Sequence, residues 1–285
     1  KEAARFDMPS SAIGKDAFDA DFIFTTTIEG LKFGFVGALV IDQLFVRHVL
    51  REKARFFFLH VIFNAWVTSV VYKDAFDSLA NPTDALTPRY AFSPIVTTAG
   101  IAGFHTYHML FYKNLTTEDL VHHIVSCLIV PAIGILCPYG KVVTIVNLGM
   151  CGVPGGIDYF LLTLVKYEVM DKLTEKRINR WLNLVLRWPL MLLSVYLIMV
   201  GFGQGKFSDL SGYVQFLIVL GGALHSLNAV YYCDKVVGNY HVSSFAGGKR
   251  KGEKRARETL AKILPADSNQ GRTSPEVTKS GKKRS

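Results

Sequence analysis

The chain is poor in the features that mark soluble catalytic or secreted domains. It has four cysteines, Cys127, Cys137, Cys151 and Cys233, all in or beside apolar runs. None forms a Cys-x-x-Cys metal motif, and their placement does not suit an extracellular disulfide framework, so they read as packing residues. It has eight histidines and no His-x-x-His-His box. His105-x-x-His108 followed by His122-His123 therefore falls short of the histidine-rich boxes of membrane di-iron enzymes, and no metal is expected. There is no internal repeat. Ser126 and Cys127 lack a nucleophile-elbow setting and read as packing residues too. Basic charge is present, but no folded nucleic-acid module accompanies it, so no nucleic-acid partner is expected.

Long apolar runs are what the chain has. Of 285 residues, 50% are hydrophobic, and the mean hydropathy of +0.26 suits a multi-pass membrane protein. Seven stretches approach membrane length: 28–46, 55–72, 90–112, 119–138, 141–165, 181–202 and 210–233. The expected fold class is all-α: a polytopic membrane protein of about seven transmembrane helices around a lipid-sized cavity. The division expected is a lumenal segment 1–27, a first helix and basic loop 28–54, a six-helix membrane domain 55–234 and a basic tail 235–285. Pro138-Tyr139-Gly140 predicts a tight turn between the fourth and fifth spans. Pro131, Pro154 and Pro189 lie inside spans, and each predicts a kink or break. Segment 73–89 is expected as a lumenal loop, and 166–180 as a short polar stretch, helical at the interface.

Basic residues orient the set. Arg47, Arg51, Lys53 and Arg55 follow the first span, Lys166 to Arg180 supply five more after the fifth, and the tail from Asp234 carries thirteen Lys/Arg against five Asp/Glu. Odd-numbered ends and the C-terminus are thus expected in the cytoplasm. The tail reads as a solvated segment, with contact to anionic lipid as the alternative. Asn114-Leu115-Thr116 is a glycosylation sequon that this topology turns to the cytoplasm, so no glycan is expected.

Ionisable groups in a bilayer are costly and mark function by default. His122 and Asp158 stand symmetrically about Gly140 in the helical hairpin, so they lie level. His123 lies level with His108, and His105 is one turn deeper. His60 and Asn64 on the second span, and His225 and Asn228 on the seventh, reach the same region, with Asp42 near the cytoplasmic end of the first. These groups form one polar layer. Its composition, imidazoles beside a carboxylate, suits acid/base or nucleophilic chemistry. Asp158 beside a histidine would orient the ring. Neighbours on a helix diverge by about 100°, so one of His122 and His123 faces the cavity and the other an adjacent helix. The milder reading of His60, Asn64, His105 and Asn228 is interhelical hydrogen bonding.

Asp119-Leu120-Val121-His122-His123-Ile124-Val125-Ser126, then Gly155-Gly156-Ile157-Asp158-Tyr159, then Leu224-His225-Ser226-Leu227-Asn228, with the entry Arg55-Phe56-Phe57-Phe58-Leu59-His60, resemble the TLC-domain family, which includes the ceramide synthases. The resemblance runs from about Arg55 to Asp234. It implies a ring of membrane helices around a lipid cavity, with His122, His123 and Asp158 as catalytic residues. It also implies membrane lipids as ligands and acyl-CoA as co-substrate, with no tightly bound cofactor. In ceramide synthases a downstream His-Asp-x-x-Asp joins the histidine pair; here Pro154 and Gly155 stand at its first two places and only Asp158 matches. The chain is thus more similar to members outside the ceramide synthases, whose roles concern membrane lipid composition. Lys282 and Lys283, in Lys282-Lys283-Arg284-Ser285, match a dilysine retrieval signal and imply the endoplasmic reticulum. Three functions stay open: acyl transfer to a lipid, non-catalytic lipid handling, and a cargo receptor.

Overall fold

The computed structural model describes residues 19–112 and 115–263. Residues 1–18, the sequon Asn114, and 264–285 with Lys282 and Lys283 lie outside them. The described residues form helices and no strands. They group into two compact units, 1–240 and 241–285; the helix bundle and its cavity belong to the first.

Six helices are long and apolar enough to cross a membrane. In chain order the helices are α1 (Ala20–Val49), α2 (Glu52–Ala80), α3 (Phe92–Phe111), α4 (Thr117–Leu136), α5 (Val142–Lys166), α6 (Lys172–Gly203) and α7 (Gly212–Ile263). The chain is an all-α, polytopic membrane protein. The helix outside the six is α3, which hydropathy along the sequence marks as a span. It is the most enclosed helix of the bundle: every residue from Ser93 to Phe104 is buried, small and polar ones included. A helix wrapped by protein rather than lipid does not need a hydrophobic surface, so it can carry buried Ser93, Thr97, Thr98 and His108.

Two boundaries differ from expectation. The second helix runs on to Ala80, leaving 81–91 and the short helix Pro82–Ala85 as the connection. The polar stretch before the sixth span is the first part of α6 itself: Asp171 accepts from the backbone N–H of Leu173 at 3.0 Å and Thr174 at 2.9 Å, capping a helix that then runs unbroken.

The prolines do not end the helices. A π-helical turn precedes each one: His123–Ile129 before Pro131, Leu148–Gly152 before Pro154 and Leu182–Arg187 before Pro189. Proline has no N–H and crowds the carbonyl four residues back, so the preceding turn widens.

Small residues let the first helix lie against the third. A Cβ at Gly30 would meet the Val96 carbonyl oxygen, and one at Gly34 the Gly100 carbonyl oxygen. Further along, the carboxylate of Asp42, fully buried, is gripped by both Arg55 (Nε to Oδ1, 2.5 Å) and the Tyr107 hydroxyl (2.5 Å). At the opposite end, Lys141 reaches Asp74 at 2.6 Å and Ser93 also donates to Asp74. The predicted turn is present: Gly140 has φ 65°, and Lys141 N donates to Ala85 O at 3.1 Å. Tyr139 hydroxyl reaches the backbone carbonyls of Leu217 and Ile218, both at 3.2 Å.

Candidate functional site: an intramembrane polar cavity

Inside the bundle lies a cavity of about 260 Å³. Its polar wall brings together His60 and Asn64 from α2, His105 from α3, His122 from α4, Asp158 from α5, and His225 and Asn228 from α7. Its apolar wall includes Val130, Pro131, Val142, Val143, Val195 and Ile198. Seven of the ten residues of the expected layer thus line one space. Asp42, His108 and His123 do not.

Helix α4 starts with a capping box. Thr116 Oγ1 accepts from Asp119 N at 3.1 Å, and Asp119 Oδ2 accepts from Thr116 N at 3.0 Å. Asp119, the first residue of the histidine motif, therefore starts the helix and does not reach into the cavity. One turn later the histidine pair divides. His123 turns to α3: its ring is 4.6 Å from that of His108 and 5.5 Å from that of His105, and its Nδ1 lies 2.5 Å from Asp119 O. It is buried. His122 turns to the cavity. Its Nδ1 lies 3.0 Å from Asn228 Oδ1, its Nε2 lies 3.9 Å from Cys127 Sγ, and its ring meets Tyr232 edge-on at 4.7 Å.

Donation from His122 Nδ1 to the Asn228 amide oxygen puts the proton on Nδ1 and leaves the Nε2 lone pair beside Cys127 Sγ. Asn228 holds the place that Asp158 was expected to fill. Asp158 lines the same cavity but accepts from Asn179 Nδ2 at 2.6 Å and faces Arg187 Nη2 at 4.0 Å. No hydrogen bond joins it to a histidine among the described residues. The reason is a polar stripe on α6 to which Asp158 turns: Asn183 Nδ2 donates to Asn179 Oδ1 at 2.8 Å, and Arg187 Nη1 donates to Asn183 Oδ1 at 3.0 Å.

Arg187 is the residue that sequence reasoning misses. It falls inside the apolar span 181–202, where one charge is easily overlooked. Its signal is Asn179, Asn183 and Arg187 at four-residue spacing, one face of a helix, ending on a charge within a membrane span. Its side chain is 12% exposed, and its Nε is buried with no hydrogen-bond partner.

Of the other polar residues, His60 and His105 are held by their own helices and His225 by a neighbouring one. His60 Nδ1 lies 2.8 Å from Phe56 O, and the ring stacks on Tyr159 at 4.2 Å. His105 Nδ1 lies 2.8 Å from Ile101 O, and His225 Nε2 lies 3.0 Å from Met191 Sδ. Asn64 abuts Gly155, where a Cβ would stand 3.0 Å from its Nδ2. Gly155 thus lets α5 approach α2. His108 Nδ1 is buried with no partner, behind the cavity wall. Among the described residues no three His, Cys, Asp or Glu side chains are placed to hold a metal ion.

Comparison of the chain with protein-family models, curated proteins and solved structures finds no match. The class the fold defines is a multi-pass helical membrane protein with a polar cavity inside its bundle.

Proposed function

We propose that the chain is a TLC-like membrane protein that acts on membrane lipid within this cavity, by acyl transfer with His122 as general base. One observation carries the reading: His122 lines a space polar on one wall and apolar on the other, with Nδ1 engaged by Asn228 and Nε2 3.9 Å from Cys127 Sγ. An amphiphile fits such a space with its chain on Val130, Val143 and Val195 and its polar end among the histidines. In the reaction, an acceptor hydroxyl or amine gives its proton to His122 Nε2 and attacks the thioester carbonyl of acyl-CoA. The carbon–sulfur bond breaks, and the leaving thiolate takes a proton from the imidazolium. The products are an ester or amide and free CoA.

The test is turnover by the purified chain with labelled acyl-CoA and mixed membrane lipids. His122→Ala is expected to lower product by roughly 100-fold or more, the usual worth of a positioned base. Product at the unaltered level from a folded His122→Ala protein sinks the idea. A second reading, lipid handling without catalysis, draws support from the hydrogen bond of Asn179 to Asp158, which leaves the histidine without a carboxylate. Lipid that co-purifies with no acyl-CoA turnover favours it. In either reading odd-numbered helix ends and the C-terminus are cytoplasmic, on the distribution of Lys and Arg, and the compartment is the endoplasmic reticulum, on Lys282 and Lys283.

A further inference from the structure

Arg187 is the most costly residue in the cavity wall and is unused by the acyl-transfer scheme. A guanidinium has five N–H donors in a planar fork. Here Nη1 is taken by Asn183. The edge formed by Nε and Nη2 is unpartnered: Nε is buried with no hydrogen-bond partner, and Asp158 Oδ2 is 4.0 Å from Nη2, beyond hydrogen-bond reach. That edge is the one that holds phosphate or carboxylate with two parallel bonds. A buried charged donor left open in a membrane protein loses free energy until something completes it.

A simple anion would meet a conflict there, because Asp158 is the acid beside the open edge and lines the same cavity. Like charges so close repel strongly where water is scarce. Asp158 itself has room for a partner: Asn179 engages Oδ1, while Oδ2 faces Arg187 only at 4.0 Å. A ligand with one negative and one positive group removes the conflict, since each wall charge then gains an opposite partner. The two groups must lie only a few ångströms apart to match the Arg187–Asp158 spacing.

We infer that the polar end of the cavity is a headgroup site for a zwitterionic aminophospholipid, its phosphate on the Nε–Nη2 edge of Arg187 and its ammonium on Asp158. In an ethanolamine headgroup two carbons separate phosphate ester oxygen from nitrogen, so one headgroup spans both side chains. The acyl chains leave past the valines of the apolar wall. The inference rests on the cavity being a lipid site and does not require acyl transfer.

The experiment is a native mass-spectrometric titration of the full chain in detergent with four lipids of equal acyl chains and no acyl donor. Phosphatidylethanolamine is expected to bind best. Phosphatidylcholine, whose nitrogen has no N–H to donate, and phosphatidic acid, which has no cation, should each bind about fivefold or more weakly, and diacylglycerol weakest. Arg187→Gln should lower phosphatidylethanolamine binding at least tenfold, toward diacylglycerol. Arg187→Lys, which keeps the charge without the fork, should fall between. Asp158→Asn should abolish the preference for phosphatidylethanolamine over phosphatidic acid.

Diacylglycerol binding as tightly as phosphatidylethanolamine overturns the inference. So does a folded Arg187→Gln protein within twofold of the unaltered affinity. Competition by glycerophosphoethanolamine as strong as by the full lipid means a water-soluble phosphate site, which also overturns it. Where the variants fail to fold, the ranking of the four lipids on the unaltered protein decides. A protein that ranks lipids as expected but turns over no acyl-CoA refutes the acyl-transfer proposal and not this one. The reverse result refutes only this one.

Discussion

At the scale of single residues, the histidine pair separates into two roles by rotation about one helix. His122 and His123 are adjacent, yet one meets Asn228 across the cavity and the other packs on His108. Two variants should therefore behave differently. Asn228→Ala leaves His122 free to take either tautomer, and product from acyl-CoA should fall by roughly 10- to 100-fold, below the full worth of the base. His123→Phe keeps an aromatic ring against His108 and leaves the cavity wall untouched, so product should stay within about fivefold of the unaltered rate, a deficit of no more than about 1 kcal/mol in barrier. Equal losses in the two variants would contradict this division. That His122 and Asp158 reach one cavity was legible in the sequence, because symmetry about Gly140 counts residues along a hairpin. Which way each side chain points was not. Helix rotation depends on packing, and the π-helical turns before Pro131 and Pro154 shift the angular register that an ideal helix predicts. Asp158 consequently turns to Asn179 and Arg187, and Arg187 stayed hidden because a single charge barely alters the hydropathy of Leu182–Gly203.

At the scale of elements, hydropathy along the sequence marked seven stretches, and the third of them, Phe92–Phe111, is the helix that falls outside the six long and apolar enough to cross a membrane. Phe92–Phe111 carries Ser93, Thr97, Thr98, His105, Thr106 and His108. Several of these satisfy one another or a neighbour: Asn147 Nδ2 donates to Thr97 Oγ1 at 2.8 Å and to Thr98 Oγ1 at 3.0 Å. Such a helix needs partners on all sides, and the glycines of α1 supply one. Gly34→Leu would push a side chain into the Gly100 carbonyl, and overpacking of this kind costs about 1–3 kcal/mol or more. A drop in the melting temperature of the detergent-solubilised protein is the expected readout, while Gly37→Leu, where a Cβ meets nothing within 4 Å, should leave it unchanged. A smaller effect belongs to the start of α4. Thr116→Ala removes the acceptor for Asp119 N and should cost about 1 kcal/mol, visible as faster amide exchange in the first turn before any loss of the whole fold.

At the scale of the whole molecule, the question is why the first helix stays with the other six. It contributes nothing to the cavity wall, yet it carries Asp42, whose charge is buried in a bundle that cannot solvate it. Arg55 of the second helix and Tyr107 of the third converge on that carboxylate, so one side chain binds three helices at the mouth of the bundle. The energetics are asymmetric. Removing one partner of a buried pair leaves the other uncompensated and costs about 3–5 kcal/mol, whereas replacing both by apolar residues of similar size is often neutral or stabilising. Asp42→Leu and Arg55→Met alone should each lower unfolding stability by about that amount, read by chemical denaturation in mixed micelles. The double variant should recover most of the loss. Tyr107, left without its acceptor, accounts for the remainder, and adding Tyr107→Phe to the double variant should remove it. Strictly additive losses would show that the three helices are held by the glycine contacts and not by this charge cluster.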